Sequence, residues 1–359
     1  MSEVDWQNCA YFTLVMLGDQ YVPAALALGS SIVNSGTRVA RRLCMITPDV
    51  SVAARRKLNR FWELIEVEYL TKRTLPLLLS HRMREIYGSW IAHSFTKWRC
   101  IESARRLGIS RYLYLDADTV VLANLDKVFE LENCVATNFF PVFSMVSYHR
   151  NRYHAGRLYK KLAEFESDES GQAPWTCQVE LAELYQSYKD ATCDKLADKR
   201  HFLLNSSMVY FALNVRQSEC LFRFVRSHVQ DNLRWWRKRN TINSQLFALM
   251  SEVNSRPVAV FANGWDEQVL AEALLGSSVG EQVRLMHMRS FCNVNAGFWN
   301  STKIKLQPWT LTWWGTNKPW NDDQPVPKYV DVYLFRYFYD RAIRANGSAL
   351  KVGLRILRA

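Results

Sequence analysis

The sequence lacks an apolar run long enough to cross a membrane. Its longest apolar stretches, at 21–32 and 206–215, are too short or are interrupted by polar residues. The first residues are acidic and polar and do not have the basic, apolar and small-residue order of a secretory signal. We therefore predict no transmembrane helix and expect a cytoplasmic protein.

Cysteine pairs of the Cys-x-x-Cys type are also missing. The eight cysteines are scattered along the chain, which argues against both a zinc site and a disulfide framework. We find no internal repeat and no low-complexity linker. A chain of 359 residues without such a linker favours one large domain.

Positive charge is in excess. Charged residues make up 22% of the chain and hydrophobic residues 48%, the balance of a folded protein, and the net charge is +12. Such a charge attracts an anionic ligand, either a nucleotide or a nucleic acid. Basic residues gather at 38–42, 55–60 and 234–239, where an ordinary solvated face is the simpler interpretation.

Strand and helix patterns alternate in the first third of the chain. Strand-forming apolar runs occur at 10–17, 43–47, 64–67 and 111–115, and helical patterns occur at 23–34, 51–61 and 95–107. This alternation predicts an α/β fold with a mostly parallel, Rossmann-like sheet and helices on both faces. Ligands of such sheets bind beyond the carboxyl ends of the strands.

The second half of the chain is less regular. The polar stretch at 150–200 has no strand pattern and predicts a helical insertion. A strand pattern returns at 203–212 and a helical one at 215–232. Beyond Pro257 the chain is aromatic-rich, and we expect irregular structure until a helix at 329–345.

Two carboxylates directly follow the apolar run at 111–115. Asp116 and Asp118 flank a single alanine, so both can converge on a hard divalent cation that binds a diphosphate. Asp-x-Asp is also frequent by chance, and a turn or a helix cap is the alternative.

The surroundings of these carboxylates carry a resemblance. The segment Tyr112-Leu-Tyr-Leu-Asp-Ala-Asp-Thr-Val-Val-Leu-Ala-Asn-Leu-Asp126 resembles the central motif of the glycogenin-like glycosyltransferase family 8. The likeness covers residues 10–126 well. Beyond them it is confined to islands at Asn205-Ser206, at Gln245 and at Gly315-Thr-Asn-Lys-Pro-Trp-Asn321.

The resemblance implies a single glycosyltransferase-A-type domain at about 8–325. Its donor-binding half would be about 8–130 and its acceptor and closing half about 200–325, with the insertion at 150–200 and a C-terminal helical extension at 326–359. It also implies retaining transfer of a hexosyl group from a UDP-sugar, such as UDP-glucose, with Mn²⁺ or Mg²⁺. The acceptor would be a carbohydrate, a protein or a small molecule.

The same resemblance assigns residues to the site. Metal ligands would be Asp116, Asp118 and His287. Residues that bind the donor would be Leu14, Tyr21, Lys97, Asp116, Asn205, Ser206, Gln245, Gly315 and Lys318. Catalytic residues would be Lys318, Asn205, Gln245 and Lys97. For several of these positions an ordinary structural role is the alternative: core packing for Leu14 and Tyr21, a surface position for Lys97, and a turn or cap for Asn205-Ser206.

This chain departs from the family pattern at the third metal ligand. The family has a histidine three residues before the Gly of Gly-x-x-Lys-Pro-Trp, and that position here is Thr312. We therefore expect His287 to be the ligand, because it follows a strand-like run as the family histidine does; a structural or acceptor-side role is the alternative.

Further departures concern the sugar. Ser244-Gln245 stands where the family has Asp-Gln, and Ser207 and Asn138 replace a family glycine and aspartate. A nucleotide-sugar-binding protein without turnover is therefore a second hypothesis. A basic nucleic-acid-binding protein that uses the basic clusters is a third and less favoured hypothesis. The aromatic C-terminal helix would suit a homodimer interface.

Overall fold

The computed structural model describes residues 3–71, 90–138, 175–183, 204–231, 265–277, 283–286, 308–313 and 329–344, together with 279, 294–295, 318–321, 323 and 325. The strands are β1 (Cys9–Val15), β2 (Arg41–Ile46), β3 (Glu63–Glu66), β4 (Arg111–Leu115), β5 (Thr119–Val121), β6 (Val135–Thr137), β7 (Thr176–Val179), β8 (Met208–Ala212), β9 (Val283–Met286), β10 (Val294–Asn295) and β11 (Thr310–Thr312). The α-helices are α1 (Val22–Asn34), α2 (Val52–Leu58), α3 (Arg99–Arg106), α4 (Asp126–Phe129), α5 (Val215–Asp231), α6 (Trp265–Leu275) and α7 (Val330–Arg344), and 3₁₀ segments lie at Trp6–Asn8, Ile91–Trp98 and Pro319–Asn321.

The main sheet has eight strands in the order β3-β2-β1-β4-β8-β6-β9-β7. Strands β3, β2, β1 and β4 are mutually parallel, and β6 and β9 run in the same direction, while β8 and β7 are antiparallel to their neighbours. The predicted α/β fold with a mostly parallel sheet is confirmed. The carboxyl ends of β4 and β9 therefore lie at the same edge of the sheet.

Helices cover both faces of this sheet. Along the fully buried β1, the side chains of Phe12 and Leu14 join one core cluster, with apolar residues of α3, α5 and α6. Tyr11 and Val15 point to the opposite face and join a second cluster, with residues of α1, α2 and α4. Burial on both faces is why these strands appear in the sequence as continuous apolar runs rather than as alternating ones.

A turn in unusual backbone conformation connects β1 to α1. Leu17 and Gly18 both have positive φ angles, of 59° and 81°. The Leu17 amide donates to the hydroxyl of Tyr69 at 3.0 Å, and Tyr69 in turn donates to a carboxylate oxygen of Asp49 at 2.9 Å. This chain of hydrogen bonds fixes the loop at the carboxyl end of β1, where a ligand would approach.

A smaller sheet in the order β10-β11-β5 lies beside the main one. Its β11 leads into Trp313, whose indole nitrogen donates to Asp331 of α7 at 3.0 Å. Phe335 and Phe338 of α7 are buried against Leu311 and Trp313. The C-terminal helix, predicted as an extension, is thus packed on the body of the domain.

The structure differs from the expectations at three places. Strand β7 lies inside the stretch 150–200, for which we expected helices. Only one of its four residues, Val179, is buried, so its sequence shows no alternation of apolar and polar residues. The strand is paired with β9. Helix α6 lies where we expected irregular structure, and the segment Ile91–Trp98 is 3₁₀ rather than α-helical. In the described part of the chain, no helix has the length and apolarity to span a bilayer.

Gly29 of α1 permits the closest contact between this helix and the chain that leads into β3. A Cβ atom at this position would lie 2.6 Å from Cβ of Phe61 and 2.7 Å from Nε1 of Trp62. The Trp62 indole nitrogen already donates to the carbonyl of Ala25 at 2.8 Å. The carbonyl of Phe61 accepts from Arg42 at 2.9 Å, so both neighbours are held and the contact cannot relax without cost.

We expect Gly29→Ala to lower the free energy of unfolding by about 1–3 kcal/mol, although alanine favours helix by about 1 kcal/mol over glycine. Urea denaturation measures the change. The matched control is Val33→Ala in the same helix, where the side chain is 50% exposed, with an expected change within about 0.5 kcal/mol. A Gly29→Ala protein more stable than wild type would show that the helix shifts freely at this contact.

Candidate active site

Asp116 and Asp118 lie where the chain passes from one sheet to the other. Asp116 directly follows β4, and its amide donates to the carbonyl of Ser207 at 2.8 Å. The chain then turns and returns as β5, which pairs antiparallel with β11. The two carboxylates therefore stand at the carboxyl end of a central strand, between the two sheets.

Lys97 is buried beneath Asp116. Its ammonium group lies 3.0 Å from Oδ1 of Asp116 and 2.8 Å from Oδ2 of Asp266, and it donates to the hydroxyl of Ser206 at 3.1 Å. The Ser206 hydroxyl donates to Asp266 at 2.8 Å. Burial alone would lower the pKa of Lys97, but the charges of Asp116 and Asp266 raise it above its ordinary value, so the lysine is charged at neutral pH.

The Asp116 carboxylate is held from two sides. The hydroxyl of Tyr114 donates to its Oδ1 at 3.0 Å, and Lys97 approaches the same oxygen. Burial raises the pKa of Asp116; Lys97 opposes this effect, whereas the nearby charge of Asp118 adds to it. The two aspartates are thus close enough to repel each other, which is the condition that a shared cation relieves.

Asp118 is paired with Lys318, which is 200 positions away in the sequence. The Lys318 ammonium donates to Oδ2 of Asp118 and to the carbonyl of Trp313. The backbone joins the same two segments, because the amide of Trp313 donates to the carbonyl of Asp118 at 3.0 Å. Burial would lower the pKa of Lys318, but Asp118 and Tyr21 raise it. The Asp-x-Asp motif and the Lys-Pro-Trp island therefore form one site.

Aromatic rings line the Lys318 side of this site. The Lys318 ammonium is 5.6 Å from the ring centre of Tyr21 and 5.8 Å from that of Trp320. The two rings contact each other edge to face at 5.2 Å. Leu14, in contrast, is only 7% exposed and belongs to the core cluster that also contains Phe12.

Asn205 holds a turn next to Ser206. Its side-chain oxygen accepts from the amide of Ser207 at 2.9 Å and from the hydroxyl of Ser207 at 2.6 Å, which is the arrangement of a turn-forming asparagine. Its backbone amide donates to the carbonyl of Asn138 at 2.8 Å. The side-chain oxygen of Asn138 is buried and has no hydrogen-bond partner among the described residues.

Among the described residues, no third side chain completes a metal site with Asp116 and Asp118. Thr312 is fully buried in β11, and its hydroxyl pairs with that of Thr119 at 2.9 Å. In the described part of the chain, no three His, Cys, Asp or Glu side chains form a metal-binding group. His287 lies outside it, directly after β9; β9 is three strands from β4, or about 14 Å at the usual strand spacing.

Two acidic residues were missed at the sequence level. Asp266 and Glu267 open α6, and both reach the turn that precedes β8: Asp266 accepts from the Ser206 hydroxyl, and Glu267 accepts from the Ser206 amide at 3.3 Å. The sequence signal for them was a pair of acidic residues in the first turn of a helix, where the helix dipole stabilises carboxylates. Gln245 and Gly315, which we expected at the site, lie outside the described residues.

Curated proteins of similar sequence are glycogenins. No protein-family model matches the chain. Glycogenin-1 of Oryctolagus cuniculus is 34% identical over 127 residues, a match that covers 35% of this chain and 35% of that protein. Glycogenin-1 of Homo sapiens is 33% identical over 127 residues, which is 35% of this chain and 33% of that protein.

Over the matched 127 residues, this chain is similar to glycogenin-1. The resemblance to glycosyltransferase family 8 is thereby confirmed, and the matched region spans about a third of the length of these relatives.

Solved glycosyltransferases resemble the chain more distantly. The apo structure of the bifunctional glycosyltransferase WbbM matches with a TM-score of 0.48 and 14% identity, over 94% of this chain and 50% of that chain. The galactosyltransferase LgtC, in complex with donor and acceptor sugar analogues, matches with a TM-score of 0.45 and 12% identity, over 92% of this chain and 95% of that chain. These values are too low to assign an activity.

Glu267 is predicted to make stability depend on pH. Burial, with the charge of Asp266, raises the pKa of its carboxyl group from 4.5 to about 8. Between pH 4.5 and about pH 8 the unfolded chain releases this proton and the folded chain keeps it. The contribution of Glu267 to stability is therefore fully present below pH 4.5 and is lost as the pH rises through about 8.

We expect Glu267→Gln to lose this dependence, because glutamine has no proton to release and its carbonyl oxygen still accepts from Ser206. The free energy of unfolding, measured with urea from about pH 5 to about pH 8.5, should fall less steeply in the variant. The difference in slope should reach up to about 1.4 kcal/mol for each step of one in pH. The control is Glu219→Gln, in a surface ion pair with Arg105. Parallel curves for wild type and Glu267→Gln would contradict the raised pKa.

Proposed function

We propose that the protein is a glycosyltransferase, which moves a hexosyl group from a UDP-sugar such as UDP-glucose to an acceptor with retention of configuration. The observation that carries the proposal is the pairing of Asp118 with Lys318. It brings together the two motifs that the family resemblance assigns to the diphosphate, from opposite ends of the domain. The similarity to glycogenin-1 supports the same activity.

The charges of the site support a requirement for a divalent cation. Three carboxylates, those of Asp116, Asp118 and Asp266, face the two ammonium groups of Lys97 and Lys318. Among the described residues, an incoming diphosphate would therefore meet no excess of positive charge, and a further cation would favour its binding.

The two motif carboxylates fit a metal ion by their chemistry. Asp116 and Asp118 offer hard oxygen ligands at the carboxyl end of β4, and their mutual repulsion favours a cation between them. They would hold Mn²⁺ or Mg²⁺, which supplies positive charge to the diphosphate when it is bound. His287, the third ligand that we expect from the sequence, lies outside the described residues.

Lys318 would act on the leaving group. As the bond between the anomeric carbon and the phosphate oxygen breaks, the electron pair stays on that oxygen, and the UDP becomes more negative. An ammonium group already held at this place by Asp118 and the Trp313 carbonyl stabilises that charge without reorganisation. The backbone of Gly315 would contribute at the same phosphate.

The sugar would lie on the side of Lys97. Asp266, Ser206 and Lys97 form one hydrogen-bonded group directly below Asp116, and such a group can position sugar hydroxyls. We propose that Asp266 supplies the carboxylate that Ser244 does not. Tyr21 and Trp320 would flank the nucleotide, and Asn205 and Gln245 would support the transferred sugar.

The test of this function is a screen of UDP-sugars for hydrolysis by the purified chain with Mn²⁺, with Mg²⁺ and with EDTA. We expect release of UDP that depends on the metal ion. Donor binding without hydrolysis or transfer would instead favour a nucleotide-sugar-binding protein, and steeply salt-dependent binding to polynucleotide alone would favour a nucleic-acid-binding protein.

Asp118→Asn should lower the rate of UDP release by about a hundredfold or more, because the variant loses a charged ligand for the cation at the diphosphate. The control is Glu219→Gln, which removes the charge of a surface ion pair with Arg105 and should leave the rate unchanged. Wild-type turnover in Asp118→Asn would remove this carboxylate from the mechanism.

Lys318→Ala should lower the maximal rate by roughly a hundred- to a thousandfold and change the donor dissociation constant much less. The reason is that its ammonium gains interaction as the UDP oxygen becomes more negative. Steady-state kinetics and donor titration separate the two quantities, and Lys57→Ala on the exposed face of α2 is the control. A weaker donor affinity with an intact maximal rate would reduce Lys318 to a binding residue.

A further inference from the structure

A groove of about 600 Å³ lies between the start of the segment Pro319–Asn321 and α7. Trp320 forms part of one wall, α7 forms the other, and Pro23 of α1 also contributes to the lining. The volume is within the range of small-molecule sites, roughly 300–1,000 Å³. None of the residues assigned above to the metal ion or to the diphosphate lines this groove.

The α7 wall presents aromatic rings to solvent. Tyr333 is 59% exposed and Tyr337 is 40% exposed, and both line the groove with Trp320. Residues four apart lie on one side of a helix, so both tyrosine rings stand on the groove side of α7. Flat rings with a polar tip bind groups that have one apolar face and a polar rim. A pyranose ring has this character.

Positive charge accompanies these rings. Arg336, Arg341 and Arg344 line the groove, and Asp340 is the one carboxylate among its described lining residues. The Arg341 guanidinium donates to the hydroxyl of Tyr337 at 2.9 Å. Arg344 is 83% exposed and lies 3.9 Å from Asp340, which leaves most of its donors facing water. Planar guanidinium groups pair with carboxylates and phosphates.

We propose that this groove binds an acidic saccharide. Its sugar rings would stack on Tyr333 and Tyr337, and its carboxylate or phosphate groups would pair with Arg341 and Arg344. Neither feature alone selects this class, because the rings would bind any flat apolar face and the arginines any anion. The two features together select a ligand that carries anions at the edge of sugar rings.

The position of the groove relates this ligand to the donor site. Trp320 contacts Phe335 of the groove at 5.6 Å between ring centres and contacts Tyr21 at 5.2 Å, and Lys318 is two residues before it. A saccharide in the groove would therefore lie next to the donor site, where an acceptor or a lengthening product would lie. This last assignment rests on the proposed function; the binding of the saccharide does not.

The test is calorimetric titration of the full chain, without donor, with three probes. Hexagalacturonate carries carboxylates, phosphorylated mannopentaose carries a phosphate, and maltohexaose is neutral. We expect the acidic probes to bind at least about tenfold more tightly than maltohexaose, and the tighter of the two identifies the anion. Tyr333→Ala and Arg341→Ala should each weaken that binding by about tenfold.

Both substituted side chains are exposed, so the variants should fold, which their circular dichroism spectra check. Arg56→Ala, an exposed arginine on α2, is the matched control and should bind like wild type. An equal loss in Arg56→Ala would mean that the net charge of the protein, rather than the groove, attracts the acidic probes, and equal affinity for maltohexaose would remove the anion from the proposal.

Two further results would assign the groove to another partner. The proposal fails if none of the three saccharides binds while anionic lipid vesicles retain the wild-type chain but not Arg341→Ala. It also fails if Tyr333→Ala converts a dimer to a monomer and no saccharide binds. Hydrolysis of UDP-glucose without saccharide tests the proposed function separately. If the protein binds the saccharide but does not hydrolyse UDP-glucose, the proposed function fails and the saccharide groove stands.

Discussion

The buried ammonium group of Lys97 joins three parts of the chain that are distant in sequence. It contacts Asp116 at the end of β4, Ser206 before β8 and Asp266 at the start of α6. A buried lysine without partners would lose its charge or destabilise the fold. Because a charged Lys97 needs these partners, the end of β4, the turn before β8 and the start of α6 must all be in place around it. The group of Lys97, Ser206 and Asp266 below Asp116 forms only then.

The ion pair of Asp118 with Lys318 is the second contact that joins distant parts of the chain at the site. Asp118 meets Lys318, and the backbone pair between Asp118 and Trp313 fixes the same segments. Trp313 is in turn bonded to Asp331 and packed on Phe335 of α7. Helix α7 thus holds Trp313, whose carbonyl accepts from Lys318. A helix that lies outside the main sheet therefore still positions a residue of the site.

Local pattern predicted the elements that are long or fully buried. Strand β1, strand β4 and helix α1 stand within one or two residues of the predicted limits, because continuous apolar runs and helical spacing are properties of neighbouring residues. Strand β7 and helix α6 were not predicted. β7 is short and half-exposed and exists through its pairing with β9, and α6 lies in a region whose aromatic and polar residues gave no clear period.

The sequence by itself determined the fold class, the Asp-x-Asp turn and the resemblance to glycogenin, since each of these depends on residues adjacent in the chain. Only the tertiary structure decided which side chains meet. Lys97 and Ser206 are 109 positions apart, and Asp118 and Lys318 are 200 apart, so no local spacing encodes these contacts. Asp266 and Glu267 entered the site in the same way, because the start of α6 is brought to the carboxyl edge of the sheet by packing of the helix against Trp98 and its neighbours.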